Sequence, residues 1–221
     1  MKRPTDNLEK IADQIRKTFT IRDAAREKTL PLCRETIRHC SLSIRAIHRQ
    51  EFDQAMKSLL TAQDLLCQIA EAVKNFPELS QMGFVRDAQK EFAEGSATFA
   101  LVTGRKIPTP QELNVDPAAY LNGIGEAVGE LRRYLLDSMR KGDLSQGEAL
   151  LGSMDDIYSV LVTIDFPDAI TGSLRHTTDN VRGILEKTRS DLTLAMGQKE
   201  LELKLAGVPV KKTSAKRKST T

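Results

Sequence analysis

Tryptophan is absent from the 221-residue sequence, and aromatic residues make up only 5% of it. A platform of aromatic rings for stacking bases is therefore not expected. Cysteine is scarce too: Cys33, Cys40 and Cys67 are an odd number and contain no Cys-x-x-Cys pair. Each falls at an apolar helical position, so they read as reduced, buried small hydrophobes of a cytoplasmic protein, and not as a disulfide framework. Long hydrophobic runs are missing. The most apolar stretch, "YSVLVTI" at 158–164, is too short to span a bilayer, and "MKRPTDNLEK" at the N-terminus has no apolar core of a secretory signal. No P-loop, Gly-x-Gly-x-x-Gly, nucleophile elbow or zinc-ligand spacing occurs, so the nucleotide, dinucleotide and serine-hydrolase chemistries tied to them have no support. The alternating pattern of strands is nearly absent as well.

What is present is helical periodicity in a charged chain, 40% hydrophobic and 29% charged. Leu30, Cys33, Ile37, Cys40, Ile44 and Ile47 form a stripe with 3/4 spacing. Pro31 inside it predicts a kink or a helix start. Phe52 to Val73 repeats the pattern and stops at "NFPE". A third helix is predicted over 77–103, ended by "GRKIPTP", and a fourth from Pro117 to the "KGD" at 141–143. Asp143 reads as the N-cap of a fifth helix reaching about Ile164, and a last long helix is predicted over about 171–205. Such stripes belong to helices packed nearly parallel. The expected fold is all-α: one bundle of six to seven long helices over 1–206, then a basic, disordered tail over 207–221.

The net charge of +3 divides unevenly along the chain. The tail contributes Lys211, Lys212, Lys216, Arg217 and Lys218 and no acid; with those five taken from the 33 basic residues, 28 face 30 acidic ones, a net of −2. Nucleic-acid affinity in the body must come from a local patch. One candidate is the basic stripe of the first helix, Arg34, Arg38, Arg45, His48 and Arg49, whose only acid is Glu35. Arginine forks in a row suit a phosphate backbone, and a solvated face is an equal alternative. The tail suits nonspecific phosphate contacts or mere solubility.

Two acidic pairs stand out. Glu91 and Glu94 in "KEFAEG" are three apart, and Glu126 and Glu130 are four apart on the next long helix. Like charges at these spacings sit about 5–6 Å apart at Cβ and cost a helix roughly 0.2–0.5 kcal/mol per pair. Four carboxylates converging from two helices would suit a hard divalent cation. On spacing alone, solvated helix faces are the commoner explanation. A di-iron bundle is excluded, because none of His39, His48 and His176 has a Glu three residues before it.

Taken in order, "REKTLPLCRETIRHCSLSIRAIHR" (26–49), "EFAEG", "AYLNGIGEAVGELRR" (119–133) with "KGD", and "ILEKTRSDLTLA" (184–195) resemble the translin family. Within it the similarity is to the translin-associated factor X branch, in a single-chain, archaeal-type form, because "EFAEG" is similar to a Glu-aromatic-x-Glu-small motif that translin lacks. The resemblance spans roughly 20–205. It implies an all-α bundle assembled into hollow, usually eight-subunit shells that bind single-stranded RNA and DNA inside. It further implies a Mg²⁺-dependent endoribonuclease (Mn²⁺ being the alternative ion), with Glu91, Glu94, Glu126 and Glu130 as metal-holding catalytic acids. Glu126 stands where that branch typically has Asp. The Arg34, Arg38, Arg45, His48 and Arg49 stripe would orient the strand. The alternative is a non-catalytic single-stranded RNA- and DNA-binding shell like translin itself.

Overall fold

The computed structural model describes residues 3–206, and the tail lysines and arginine expected at 211–218 lie outside them. Among the described residues the fold is all-α, as expected, with six long helices and three single turns. They are α1 (Leu8–His48), α2 (Phe52–Val73), α3 (Pro77–Ser80), α4 (Gly83–Val102), α5 (Pro110–Leu113), α6 (Pro117–Arg140), α7 (Gly147–Leu161), α8 (Asp168–Thr171) and α9 (Leu174–Ala206). None of the described helices is long and apolar enough to cross a membrane.

α1 neither starts nor stops at Pro31 but runs through it from a point 23 residues upstream. Proline there removes the hydrogen bond to the Glu27 carbonyl, and both residues are exposed, so water can satisfy that group. Its buried side carries Cys33, Thr36, Cys40, Ile44 and Ile47. A tight turn through Gln50, at φ 62°, returns the chain as α2. There Ala55, Leu59, Ala62, Leu66, Ile69 and Val73 are buried at 3/4 spacing against α1. Cys67 falls off that stripe and is exposed, unlike the buried Cys33 and Cys40 and contrary to the expectation for all three. The predicted third helix is divided: α3 is one turn, and α4 restarts at Gly83.

α4 lies at the centre, packed on α1, α2 and α6. α5 is a single turn closed by a reciprocal Thr109–Glu112 capping box, and Asp116 caps α6 by accepting from the Ala118 and Ala119 N–H groups. Asp143 does not cap α7, which begins later at Gly147; its carboxylate accepts from Ser145 N–H in the preceding turn. α6 also packs against α7 and α9. Phe92, Phe99, Val128, Leu131, Leu135, Met154, Leu161, Val181 and Leu192 fill the core between these helices.

Two glycines of α6 set how closely its neighbours approach. A Cβ at position 123 would lie 2.5 Å from the Lys90 carbonyl oxygen and 3.0 Å from the Glu94 nitrogen, so α6 crosses α4 backbone to backbone. A Cβ at 125 would lie 2.5 Å from a Thr177 methyl, so α9 closes in beside it. Between them these contacts bring α4, α6 and α9 together around one short segment of each.

Candidate active site

At that crossing Glu91 and Glu94 of α4 meet Glu126 of α6. One carboxylate oxygen from each lies within 4.8 Å of the other two. Glu94 is only 9% exposed. Burial, then the charges of Glu91, Glu126 and Glu130, push its carboxyl up to about 8. Glu91 is half-buried and raised as well, first by burial. A cation does stand beside the cluster, but it is committed: Lys90 Nζ donates to Glu126 at 2.8 Å. Three crowded oxygen donors with too little compensating charge are the donor set a hard divalent ion takes.

Glu130 is held one turn further along α6, outside the three-carboxylate group. It pairs with His48 Nε2, and Arg133 lies 3.7 Å away. Its charge still reaches Glu91 and Glu94. Of the four acids singled out by sequence, the fold therefore gathers three and engages the fourth with α1.

His48 differs most from its expected place. Its side chain is 7% exposed, and it packs near Tyr134 with ring centres 6.4 Å apart, so it belongs to the interior and not to the exposed basic stripe. Arg34, Arg38, Arg45 and Arg49 are exposed as expected. Arg38 pairs with Glu35 at 3.2 Å, Arg49 with Glu51 at 2.9 Å, and Arg45 donates to the Ser41 carbonyl. Cys40 of α1 backs onto the carboxylates: burial and then Glu91 and Glu94 drive its thiol far up. At about 100° per residue the four arginines project from the opposite side of α1. Within one chain the arginines and the acids face different ways.

The carboxylates instead open into a cleft of about 460 Å³ between α4, α6 and α9, walled by His176, Thr177, Asn180 and Ile184. A second cleft of about 390 Å³ shares Glu126, His176 and Thr177 with it and continues to Lys90 and Arg86. Sequence reasoning missed these cations. Lys90 stood inside the quoted "KEFAEG" stretch, and Arg86 one helical turn before it, but nothing in their spacing says that α9 will wall them in.

No protein-family profile matches the chain. Over 178 residues it is 33% identical to the uncharacterised protein MJ0175 of Methanocaldococcus jannaschii, covering 77% of this chain and 76% of that protein. Its fold matches the crystal structure of AfC3PO with a TM-score of 0.79 at 35% identity, over 85% of this chain and 97% of that one. AfC3PO in complex with duplex RNA matches at 0.75, with the same identity and coverage. The chain belongs to the translin/C3PO family. Apo-NeC3PO shares the fold at 23% identity, with a TM-score of 0.68 over 88% of this chain and 99% of that one. Family membership accounts for the all-α bundle. Within that family, the acidic crossing of α4 and α6 is the feature of this chain with chemistry to explain.

Proposed function

We propose that this translin/C3PO-family protein is a metal-dependent endoribonuclease of the factor X type, acting on single-stranded or short structured RNA. The observation that carries the proposal is the buried Glu94, raised to about 8 beside Glu91 and Glu126 at a point where two helices are pressed together. A helical bundle gains nothing in stability from this crowding, whereas a site for a divalent cation requires it. Glu91, Glu94 and Glu126 would hold Mg²⁺ or Mn²⁺. Bound there, the ion supplies an activated water and neutralises charge building on the scissile phosphate.

The chain's own groups have distinct tasks. Lys90 donates to Glu126 and holds its carboxylate beside the cluster. Glu130, fixed by His48, adds its charge to the field at Glu91 and Glu94 from one turn away. His176 and Asn180 on α9 wall the cleft opposite the carboxylates and confine the strand. Arg34, Arg38, Arg45 and Arg49 take the RNA backbone where it runs over the outer face of α1. AfC3PO's complex with duplex RNA supports RNA as the ligand, and extends it to duplexes.

Assembly into a homo-oligomeric shell is part of the proposal. Leu8, Ile11, Ile15 and Phe19 on α1 are all exposed at 3/4 spacing, an apolar stripe suited to another copy of the chain. The second reading, a non-catalytic RNA- and DNA-binding shell, draws on the exposed arginine stripe, which needs no carboxylates. Cleavage of labelled single-stranded RNA, with Mg²⁺ and with EDTA, decides between them. Metal-dependent cutting that Glu91→Ala/Glu94→Ala loses supports the nuclease; binding without cutting by either protein supports the shell.

A further inference from the structure

The second cleft holds a cation with no assigned task. Arg86, on α4 one turn before Lys90, is half-buried, yet among the described residues its guanidinium makes neither an ion pair nor a side-chain hydrogen bond. Partly burying an unpaired guanidinium is costly, and its planar fork suits two oxygens of one phosphate. Its neighbour Asp87 also lines the cleft but does not reach it, as expected for side chains one residue apart on a helix.

The wall around Arg86 is built and not incidental. Gly172, at φ 62°, lies so close that a Cβ there would be 2.4 Å from Arg86 Nη2. Asn122 is fully used in bracing that turn: its amide donates to the Ala118 and Thr171 carbonyls, and its oxygen accepts from Thr177. α9 starts directly after the turn, so the positive end of its dipole adds to the field. Glu126, shared by both clefts, is neutralised by Lys90 on this side.

We infer that the Arg86 cleft is a phosphate subsite, holding the internal phosphodiester next to the one placed at the carboxylates. The location of the scissile group rests on the nuclease reading; the subsite itself does not. An anion drawn toward three carboxylates needs a fixed cation a short step away, and Arg86 supplies it on one side only. A strand bound in both clefts therefore has a defined direction.

The test measures binding of labelled single-stranded RNA in EDTA across a range of salt, comparing native protein with Arg86→Gln and Arg86→Lys. The expected result is a three- to tenfold loss of affinity for Arg86→Gln and a salt slope smaller by about 0.7; Arg86→Lys keeps the charge and should restore the slope but only part of the affinity. Equal losses for strands with a 5′-phosphate and a 5′-hydroxyl are expected. A folded Arg86→Gln protein with the native slope, or a loss confined to 5′-phosphorylated strands, would overturn the inference. Because Arg86→Gln can also fail to fold, the native protein provides a second measurement. Bound RNA should protect Arg86 from phenylglyoxal modification, read by mass spectrometry, and unprotected Arg86 overturns the subsite. A native protein that never cuts RNA but shows these effects would sink the nuclease and leave the subsite standing.

Discussion

Gly123 of α6 rests on the Lys90 carbonyl of α4, with no room for a methyl group: a Cβ at 123 would lie 2.5 Å from that oxygen and 2.8 Å from the Ala93 Cβ. Since both obstacles belong to helix backbone or to a side chain fixed on it, neither can swing aside. Gly123→Ala should force the two helices apart, at a cost of about 1–3 kcal/mol. Thermal melting should show the loss, and Mg²⁺ should stabilise the variant less than the native protein because Glu126 has been drawn away from Glu91 and Glu94. A variant with native stability would show that the crossing is slack.

Glu94 sets a pH dependence whose sign follows from its raised carboxyl. Its folded value of about 8 stands above its ordinary 4.5. The protein therefore holds its full contribution below about 4.5 and loses it progressively as pH rises through 8. Melting of metal-free protein should fall over that window. Glu94→Gln removes the charge and keeps the shape, so at alkaline pH it should exceed the native protein by on the order of 2 kcal/mol, or about 4–8 °C for a chain of this size. In acid the difference should vanish. A Glu94→Gln protein less stable than native at high pH without metal contradicts a crowded carboxylate.

Divalent cations should reverse that order. Holding an ion requires ionised carboxylates, so binding below pH 8 must release a proton from Glu94. Mg²⁺ or Mn²⁺ affinity should rise with pH toward 8 and level off above it. Calorimetry in buffers of different ionisation enthalpy reads the released proton directly. Glu94→Gln should bind more weakly and release fewer protons, since only the raised Glu91 carboxyl is left to give one up.

Arg38 and Arg45 are exposed on the outer face of α1, and neither is buried in the core. Replacing both by Ala should leave melting nearly unchanged and weaken RNA binding. If each meets one phosphate, the salt slope should fall by about 1.4. An unaltered slope would move the RNA to another face of the molecule.

The apolar stripe of Leu8, Ile11, Ile15 and Phe19 should separate copies of the chain when charged. Ile15→Lys/Phe19→Lys should reduce the particle size seen by light scattering without unfolding the bundle, since both residues are exposed. A native protein that is already a monomer removes the shell from the proposal.

The sequence by itself determined the helices and the local half of the site. Helical periodicity depends on neighbours three and four residues away, so the buried stripes of α2, α4 and α6 were legible before any packing was known. The same local geometry put Glu91 beside Glu94. It also suggested a kink or a helix start at Pro31, and Asp143 as a cap. The start and the cap failed, because an exposed proline costs one hydrogen bond that water replaces, and because Asp143 serves the turn before α7. Tertiary structure decided what no local pattern contains. Glu126 and Glu130 are equivalent on their helix; only where Gly123 lets α6 cross α4 settles that Glu126 joins the cluster while Glu130 turns to His48. His48 and Arg45 look alike as members of one stripe, yet one faces α6 and the other solvent. Arg86, Lys90 and His176 share a cleft only because Gly172 and Asn122 bring the start of α9 against α4. Spacing along a helix fixes direction to within a turn, but a site made by three helices depends on how near their backbones come, and here glycines set that distance.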